Sequence, residues 1–420
     1  MHDKVLERDF VLKAFKDTLK VIQQEPPSVR RSILRSQTEK QRRRHSYERD
    51  QLVAKMQRAL DWFETAKLAE TTRRRREITP EDEVFLPRDR TFSLFQSALD
   101  SYLTELQTKR RLRHRTTRAP AGSFEPTDPG WVSVVWEKLW VRLGRGFARF
   151  RSHKKPTDFM FPLEDNCSIA LVGDWGTGIK RALAVAREIE KHTPQHAIHL
   201  GDVYYSGTEE EITERFLANW PKNVGRSWAL NSNHEMYSGG HGYFKITLKK
   251  FKQPASYFCL RNNNWQLIGL DTGYVDHNLN REQFEWLRHK VKNYNGKTIL
   301  LSHHQLFSAY ESQGENLEAR LDMLLDEGKI YAWFWGHEHR CIVYKPYMNI
   351  KARCLGHGGV PYKAHAEPQT NIPIEWVDER EHPQRPGWGM FGFALLNLEG
   401  SNLHVRYIDE FGNIPWEEDL

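Results

Sequence analysis

The sequence has few cysteines and no long apolar segment. The four cysteines among its 420 residues are Cys167, Cys259, Cys341 and Cys354, and their wide spacing excludes a disulfide framework and a paired-cysteine zinc motif. No run of about 18 apolar residues is present, so we expect no transmembrane helix. The first ten residues, MHDKVLERDF, lack the apolar segment of a secretory signal. These absences predict a protein of the reducing cytoplasm.

Proline and glycine occur at ordinary levels, whereas aromatic residues are plentiful. The 19 Pro and 27 Gly exclude collagen-like and low-complexity architectures. Aromatic residues make up 12% of the chain and include 14 Trp, which is more than a disordered chain carries. The length of 420 residues indicates two or three folded domains.

Charge is distributed unevenly along the chain. Residues 1–155 contain 35 Lys and Arg against 21 Asp and Glu, whereas residues 156–420 contain 27 against 34. This difference predicts two modules with different partners. Basic runs in the first module are Arg30–Arg31, Arg42–Arg44, Arg73–Arg76 and Lys109–Arg115. These runs are either solvated helix faces or a patch within residues 1–155 that contacts a polyanion, either nucleic acid or anionic lipid.

The first module is predicted to be mainly helical. Polar helical patterns cover residues 3–24, 28–76 and 89–115, and we assign residues 1–118 to a basic helical module. Residues 119–157 are predicted to contain a linker and an amphipathic Trp-rich helix, whose apolar stripe runs from Val132 to Phe150. This stripe either packs against one of the two modules, which is the preferred interpretation, or lies on a membrane surface as a peripheral contact.

Residues 158–420 alternate between predicted strands and helices. Short apolar runs at 167–173, 196–200, 228–230, 257–260, 265–270, 298–301 and 330–335 predict strands. Helical patterns occupy residues 179–191 and 281–291. The alternation predicts a layered α/β domain.

Ligand-type side chains follow five of the predicted strands. In chain order the junctions carry Asp, Asp, Asn-His, His-His and His-Glu-His. Singly, such an Asp can cap a helix and such a His can be a hydrogen-bonded core residue. Five junctions together indicate a metal site, because reactive groups collect at the carboxyl ends of strands in these sheets. Carboxylate, amide and imidazole ligands without thiolate favour hard or borderline cations over a structural zinc cage.

The motifs at these junctions are GDWG (173–176), GDVYY (201–205), SNHE (232–235), SHH (302–304) and GHEH (336–339). Together they resemble the calcineurin-like metallophosphoesterase superfamily and, within it, the purple acid phosphatases. The resemblance covers about residues 165–410. It implies an α/β/β/α metallophosphoesterase sandwich at residues 158–420, which hydrolyses a phosphorylated substrate with a hydroxide bridging two metal ions.

The resemblance also implies the ligands of both metal ions. The first ion would be held by Asp174, Asp202, Tyr205 and His339. The second ion would be held by Asp202, Asn233, His303 and His337. A phenolate ligand favours iron at the first position, with Tyr204 as the neighbouring alternative to Tyr205. The second ion is zinc, manganese or iron.

The resemblance implies a catalytic role for His234, which would donate a proton to the leaving oxygen or hold the substrate. Candidate phosphate contacts are His241, His304 and His357, with loop structure as the other interpretation for His241 and His357. The sequence departs from the family pattern at Ser232, where glycine is usual, and at Gln305, where proline is usual.

Three functions fit this set of residues. The preferred one is a phosphomonoesterase. The second is a phosphodiesterase acting on a nucleotide or nucleic acid, since two-metal sites serve both reactions. The third is an inactive scaffold that retains the phosphatase fold.

Overall fold

A computed structural model of the chain describes residues 8–24, 50–61 except 52, 89–116, 135, 139 and 145–420. The chain divides into two compact units, Met1–Gly146 and Phe147–Leu420. None of the helices in the described part of the chain is long and apolar enough to cross a membrane.

The described part of the first unit is helical. Helix α1 spans Arg8–Gln24 and helix α2 spans Arg90–Thr116, and residues 50–61 add helical segments. Asp89 caps α2, because its Oδ1 accepts hydrogen bonds from the backbone of Thr91 (2.8 Å) and Phe92 (3.0 Å). Buried residues of the common core are Val11, Phe15, Leu19, Met56, Phe92, Phe95, Leu99, Val135 and Leu139. The prediction of a mainly helical first module is confirmed for these residues.

Much of the predicted basic surface lies outside the described residues. This applies to Arg30–Arg31, Arg42–Arg44 and Arg73–Arg76, and to Trp136 and Trp140 of the predicted Trp-rich helix. The backbone of Lys109–Arg115 is helical, and its side chains are outside the described set. Contact with a polyanion therefore stays a prediction.

The end of the predicted Trp-rich helix is not helical. Residues 146–150 carry no regular secondary structure, although the apolar stripe was predicted to continue to Phe150. The ring of Phe150 stacks on Tyr257 with centroids 5.7 Å apart, and the backbone N–H of Ala148 donates to the carbonyl of Gly239 at 2.8 Å. These tertiary contacts and the low helix propensity of Gly146 explain why the helix does not continue to Phe150.

The second unit is built on strands. In chain order they are β1 Met160–Pro162, β2 Asn166–Val172, β3 His196–His199, β4 Arg226–Ala229, β5 Phe258–Arg261, β6 Trp265–Gly269, β7 Lys297–Ser302, β8 Ile330–Trp335, β9 Cys341–Tyr344, β10 Lys351–Leu355, β11 Ile374–Val377, β12 Glu381–His382, β13 Arg385–Gly389, β14 Gly392–Glu399, β15 Asn402–Asp409 and β16 Trp416–Asp419. One sheet has the order β1-β5-β6-β7-β8-β10-β9-β11, a second has the order β16-β15-β14-β2-β3-β4, and β12 pairs with β13. Strands β2, β3 and β4 are parallel, as are β6, β7 and β8.

Helices and helical turns connect these strands. They are α3 Lys180–His192, α4 Glu209–Glu211, α5 Asn233–Tyr237, α6 Leu248–Lys250, α7 Arg281–Lys292 and α8 Glu315–Asp326. Two π-helical turns, Ile212–Leu217 and Tyr243–Thr247, adjoin α4 and α6.

The two large sheets pack face to face, and helices cover their outer faces. Leu171 of β2 and Leu267 of β6 belong to one buried core between the sheets. Trp286 of α7 packs with the outer face of the larger sheet, and Val185 of α3 packs with the outer face of the smaller one. Strands covered on both faces are apolar throughout, as the sequence shows. The predicted α/β/β/α sandwich is confirmed.

Loops at the carboxyl ends of the parallel strands are tied together by backbone hydrogen bonds. Asp174 N–H donates to the carbonyl of Gly201 at 3.1 Å, and Gly336 N–H donates to the carbonyl of His303 at 3.1 Å. A link between the sheets is the bond from Gly173 N–H to the Leu355 carbonyl, 3.2 Å long. These ties bring the loops after β2, β3, β7 and β8 to one place.

Candidate metal centre

Side chains from both sheets converge on the nitrogen Nε2 of His303. Its neighbours are Oδ1 of Asn233 at 3.1 Å, Oδ1 of Asp202 at 3.2 Å and Nδ1 of His337 at 3.2 Å. The other ring nitrogen of His303 lies 3.0 Å from the Leu200 carbonyl oxygen. Because a carbonyl only accepts, Nδ1 carries the proton and Nε2 carries a lone pair. The lone pair on Nε2 of His303 therefore faces acceptor oxygens of Asp202 and Asn233 in a buried space, an arrangement that a bound cation would stabilise.

A second group of ligand atoms lies on the other side of Asp202. The Tyr204 hydroxyl is 2.7 Å from Oδ2 of Asp202, 3.1 Å from Oδ1 of Asp174 and 3.1 Å from Nε2 of His339. Nε2 of His339 is itself 3.5 Å from Oδ1 of Asp174. Ligand atoms of Asp174, Asp202 and His339 lie within 4.8 Å of one another. These residues could hold one cation.

Asp202 lies between the two groups and faces each with one oxygen. It is 1% exposed, and among the described residues its Oδ1 accepts no hydrogen bond. Burial and the neighbouring Asp202 raise the pKa of Asp174 well above its ordinary value. Burial alone would also raise the pKa of Asp202, but His234 and His303 lower it below its ordinary value. Two buried carboxylates resist joint ionisation, so the pair favours an added positive charge.

The two adjacent tyrosines lie in different surroundings. Tyr204, the alternative, supplies the hydroxyl next to Asp174 and Asp202. The ring of Tyr205 instead lies beside the guanidinium of Arg215, with 4.6 Å between the ring centroid and Cζ. The backbone N–H of Tyr205 donates to Oε1 of Glu211 at 2.7 Å. This hydrogen bond orients the loop. The number of residues between Asp202 and each tyrosine does not reveal that orientation.

Three of the predicted ligands adopt left-handed backbone conformations. The φ angles are 55° for Asp174, 75° for Asp202 and 67° for His337. Such conformations are uncommon outside glycine and cluster at functional sites. Close packing explains the glycine that precedes His337, because a Cβ on Gly336 would lie 2.6 Å from Oδ2 of Asp174. At Gly201, with φ 103°, a Cβ would lie 2.9 Å from Nδ1 of His303.

His234 lies at the edge of this centre. Its Nε2 is 3.8 Å from Oδ2 of Asp202, and its Nδ1 is 2.6 Å from the carbonyl oxygen of Tyr205. The Ser232 hydroxyl caps α5 by accepting from the backbone N–H of His234 (3.1 Å) and of Glu235 (3.5 Å). Ser232, which stands where the family usually has glycine, thus orients the short helix that carries Asn233 and His234.

The candidate phosphate contacts have different positions. The ring of His304 lies 4.8 Å from that of His303 and 4.9 Å from that of His337. His241 is 9% exposed and follows α5, and its role stays a prediction. His357 is 3% exposed, and its electrostatic neighbours are Asp378, Arg380 and Asp409. None of the contacts described for His357 reaches the ligand group, which favours the loop interpretation for it.

Two buried glutamates support the loops that carry the candidate ligands. Glu211 accepts from the backbone of Tyr205 (2.7 Å), Ser206 (3.1 Å) and Thr208 (3.0 Å). Glu235 accepts from the backbone N–H of Asp202 at 3.3 Å. Thr208 and Glu211 form a capping box, whose spacing is a readable signal in the sequence. Ser232 and Glu235 have the same spacing, whereas the bond from Asp202 to Glu235 joins residues that are distant along the chain.

The chain resembles known proteins in this region. Residues 167–341 match the family model of the calcineurin-like phosphoesterases, which confirms the resemblance to that superfamily. No curated protein gives a match.

Several solved structures are also similar. One is the purple acid phosphatase PPD1 from yellow lupin (Lupinus luteus) seeds, at 17% identity and TM-score 0.47, covering 62% of this chain and 54% of that one. GAP50, the anchor in the inner membrane complex of Plasmodium, has 12% identity and TM-score 0.49, with 61% and 88% covered. A dimetal phosphatase from Danio rerio has 13% identity and TM-score 0.41, with 60% and 98% covered.

Proposed function

We propose that the calcineurin-like phosphoesterase domain of this chain hydrolyses phosphoric monoesters with the aid of two metal ions. The observation that carries the proposal is the convergence on Nε2 of His303. Oxygens of Asp202 and Asn233 and a nitrogen of His337 lie 3.1–3.2 Å from it. With Nδ1 of His303 protonated toward Leu200, its Nε2 and the oxygens of Asp202 and Asn233 offer one another lone pairs and no proton. A cation with mixed nitrogen and oxygen ligands fits this donor set.

Each group of donors would hold one ion. Asp174, Tyr204 and His339 would hold the first, and Asn233, His303 and His337 would hold the second. Asp202 would serve both, since its two oxygens face opposite groups. A phenolate from Tyr204 favours iron in the first position, whereas the second set suits zinc, manganese or iron.

Two ions held in this way would polarise the phosphoryl group and lower the pKa of a coordinated water. The chain's own contribution is to fix the ligands and to place His234. Donation from Nδ1–H of His234 to the Tyr205 carbonyl fixes the ring, and Nε2 points toward the Asp202 side of the centre. From there His234 would donate a proton to the leaving oxygen or hold a substrate oxygen.

The tyrosine hydroxyl at the first group supports the monoesterase assignment. The wider superfamily has a histidine in the first motif, where this chain has Gly176. A phenol in the centre is instead typical of the purple acid phosphatases, which the motifs of this chain resemble. Cleavage of diesters is the second candidate, because the same pair of ions serves both reactions.

The test compares hydrolysis of para-nitrophenyl phosphate with that of the bis-ester by purified full-length protein. Faster turnover of the monoester is expected. Faster turnover of the bis-ester would assign a phosphodiesterase instead. No turnover of either substrate by the metal-loaded protein would favour an inactive scaffold.

A further inference from the structure

Beside the proposed binuclear centre lies a cluster of three histidines from three loops. His277 follows β6, His304 follows β7 and His337 follows β8. Ring centroids are 3.8 Å apart for His277 and His304, 4.9 Å for His304 and His337, and 5.4 Å for His277 and His337. One nitrogen of each ring lies within 4.8 Å of the other two. Neither the proposed function nor the sequence motifs assign a role to His277.

The buried member of this cluster has an unsatisfied nitrogen. His304 is 0% exposed, and its Nδ1 bonds to the Thr272 hydroxyl at 2.9 Å. Its Nε2 is buried and has no hydrogen-bond partner among the described residues. A buried polar atom in this state has lost its hydrogen bond to water without a replacement, which is unfavourable unless something binds it. Donation from Nδ1–H to Thr272 would leave on Nε2 the lone pair that a metal ligand needs.

The outer member is held by a carboxylate. Nδ1 of His277 lies 2.9 Å from Oδ1 of Asp276. Histidines that ligate metals commonly donate their other ring N–H to a carboxylate, which fixes the ring and makes the ligating nitrogen more basic. The His277 side chain is 35% exposed, so the cluster is open to solvent on the His277 side.

We propose that His277, His304 and His337 form a third cation site next to the binuclear centre. Three imidazole ligands with an open fourth position suit zinc or a similar borderline divalent ion. Nitrogens bound to one zinc ion at 2.0–2.1 Å are roughly 3.3 Å apart, so the cluster would contract slightly on binding. His337 would serve two ions through its two nitrogens, and its N–H proton would leave to solvent as the third ion binds.

This site rests on the proposed function only through His337, whose Nδ1 faces His303. The experiment strips purified full-length protein with a chelator, reloads it with zinc, removes excess zinc and measures zinc per chain. About three equivalents are expected for the unaltered protein and about two for His277→Ala. His289→Ala is the matched control, because His289 is an exposed histidine on α7, and it should keep all three. Thermal unfolding midpoints of the variants report whether each remains folded.

Failure of this inference and failure of the proposed function give different results. Asp202→Asn should lose the two ions of the binuclear centre and keep about one. Adding His277→Ala to that variant should remove the last one, and this result would support the third site even if the enzyme proved inactive. Two equivalents in the unaltered protein, or the same zinc content with and without His277, would overturn the inference. A drop on His277→Ala from two equivalents to one would place His277 in the second site and would also overturn it.

Discussion

The Tyr204 hydroxyl lies 2.7 Å from Oδ2 of Asp202. The same oxygen atom of Tyr204 lies 3.1 Å from Asp174 and 3.1 Å from His339. A phenol in this position would complete a set of oxygen and nitrogen ligands for one cation. Tyr204 rather than Tyr205 is therefore the tyrosine on which the proposed iron site depends.

Replacing this tyrosine tests that assignment. In Tyr204→Phe we expect iron affinity to fall by about 100-fold or more, because a ligand is removed and not merely reoriented. The visible phenolate-to-iron absorption should disappear with it. Tyr205→Phe is the matched control, since the ring of Tyr205 lies beside Arg215, and it should keep both the iron and the colour. Loss of colour in Tyr205→Phe alone would restore the original choice.

His234→Ala should separate catalysis from metal binding. The ring lies 3.8 Å from Asp202 and outside the two ligand groups, so metal content should be unchanged. The turnover number should fall by about 10²–10⁴-fold, the usual contribution of a positioned general acid. Metal analysis and steady-state kinetics on the same preparation check this. A loss of bound metal in His234→Ala would show that His234 is a ligand and that its catalytic role is wrong.

Gly336→Ala should disturb the centre without removing a ligand. A Cβ at this position would lie 2.6 Å from Oδ2 of Asp174, so Asp174 or the loop must move. We expect metal affinity to fall roughly tenfold or more and stability to fall by about 1–3 kcal/mol. Gly146→Ala is the control, because a Cβ there meets no atom of the described residues within 4 Å. Equal metal binding by both variants would show that this contact is unimportant.

His357 should make folding sensitive to acid. Burial lowers the pKa of His357 to about 4, whereas the unfolded chain has a histidine pKa of about 6.5. Below pH 6.5 the unfolded state therefore binds a proton that the folded state does not, and stability falls until the pH approaches 4. Between pH 7 and pH 5 this residue should cost about 2 kcal/mol.

Urea unfolding at the two pH values, followed for the second unit, measures the effect. His357→Gln removes the titrating group. Between pH 7 and pH 5 the variant should therefore lose about 2 kcal/mol less stability than the unaltered protein. If the variant and the unaltered protein lose equal stability between pH 7 and pH 5, the pKa of His357 is not depressed in the folded state.

The sequence alone allowed the layers and most of the converging side chains to be predicted. Strands such as β7 and β8 are apolar throughout because both faces are buried, and the polar residue that follows each one is conspicuous. Asp174, Asp202, Asn233, His303 and His337 follow strands in this way, so the folded sheets bring them together.

Features that depend on loop direction could not be predicted from spacing. Tyr204 and Tyr205 are adjacent, and the hydrogen bonds that Glu211 accepts from the backbone N–H groups of Tyr205 and Ser206 orient the loop. This orientation places the hydroxyl of Tyr204 beside Asp174 and Asp202. His277 lies in the loop after β6, outside every motif, and reaches His304 only through folding. The apolar stripe ending at Phe150 has helical spacing, yet Phe150 stacks on Tyr257 in the sheet unit instead.

The most direct test of the central claim is phosphomonoesterase activity before and after metal removal, in the unaltered protein and in Asp202→Asn. We expect chelation to abolish the activity of the unaltered protein and added metal to restore it. Asp202→Asn should stay inactive at every metal concentration, because this carboxylate faces both ligand groups. Full activity in the chelated protein, or in metal-supplemented Asp202→Asn, would contradict the account.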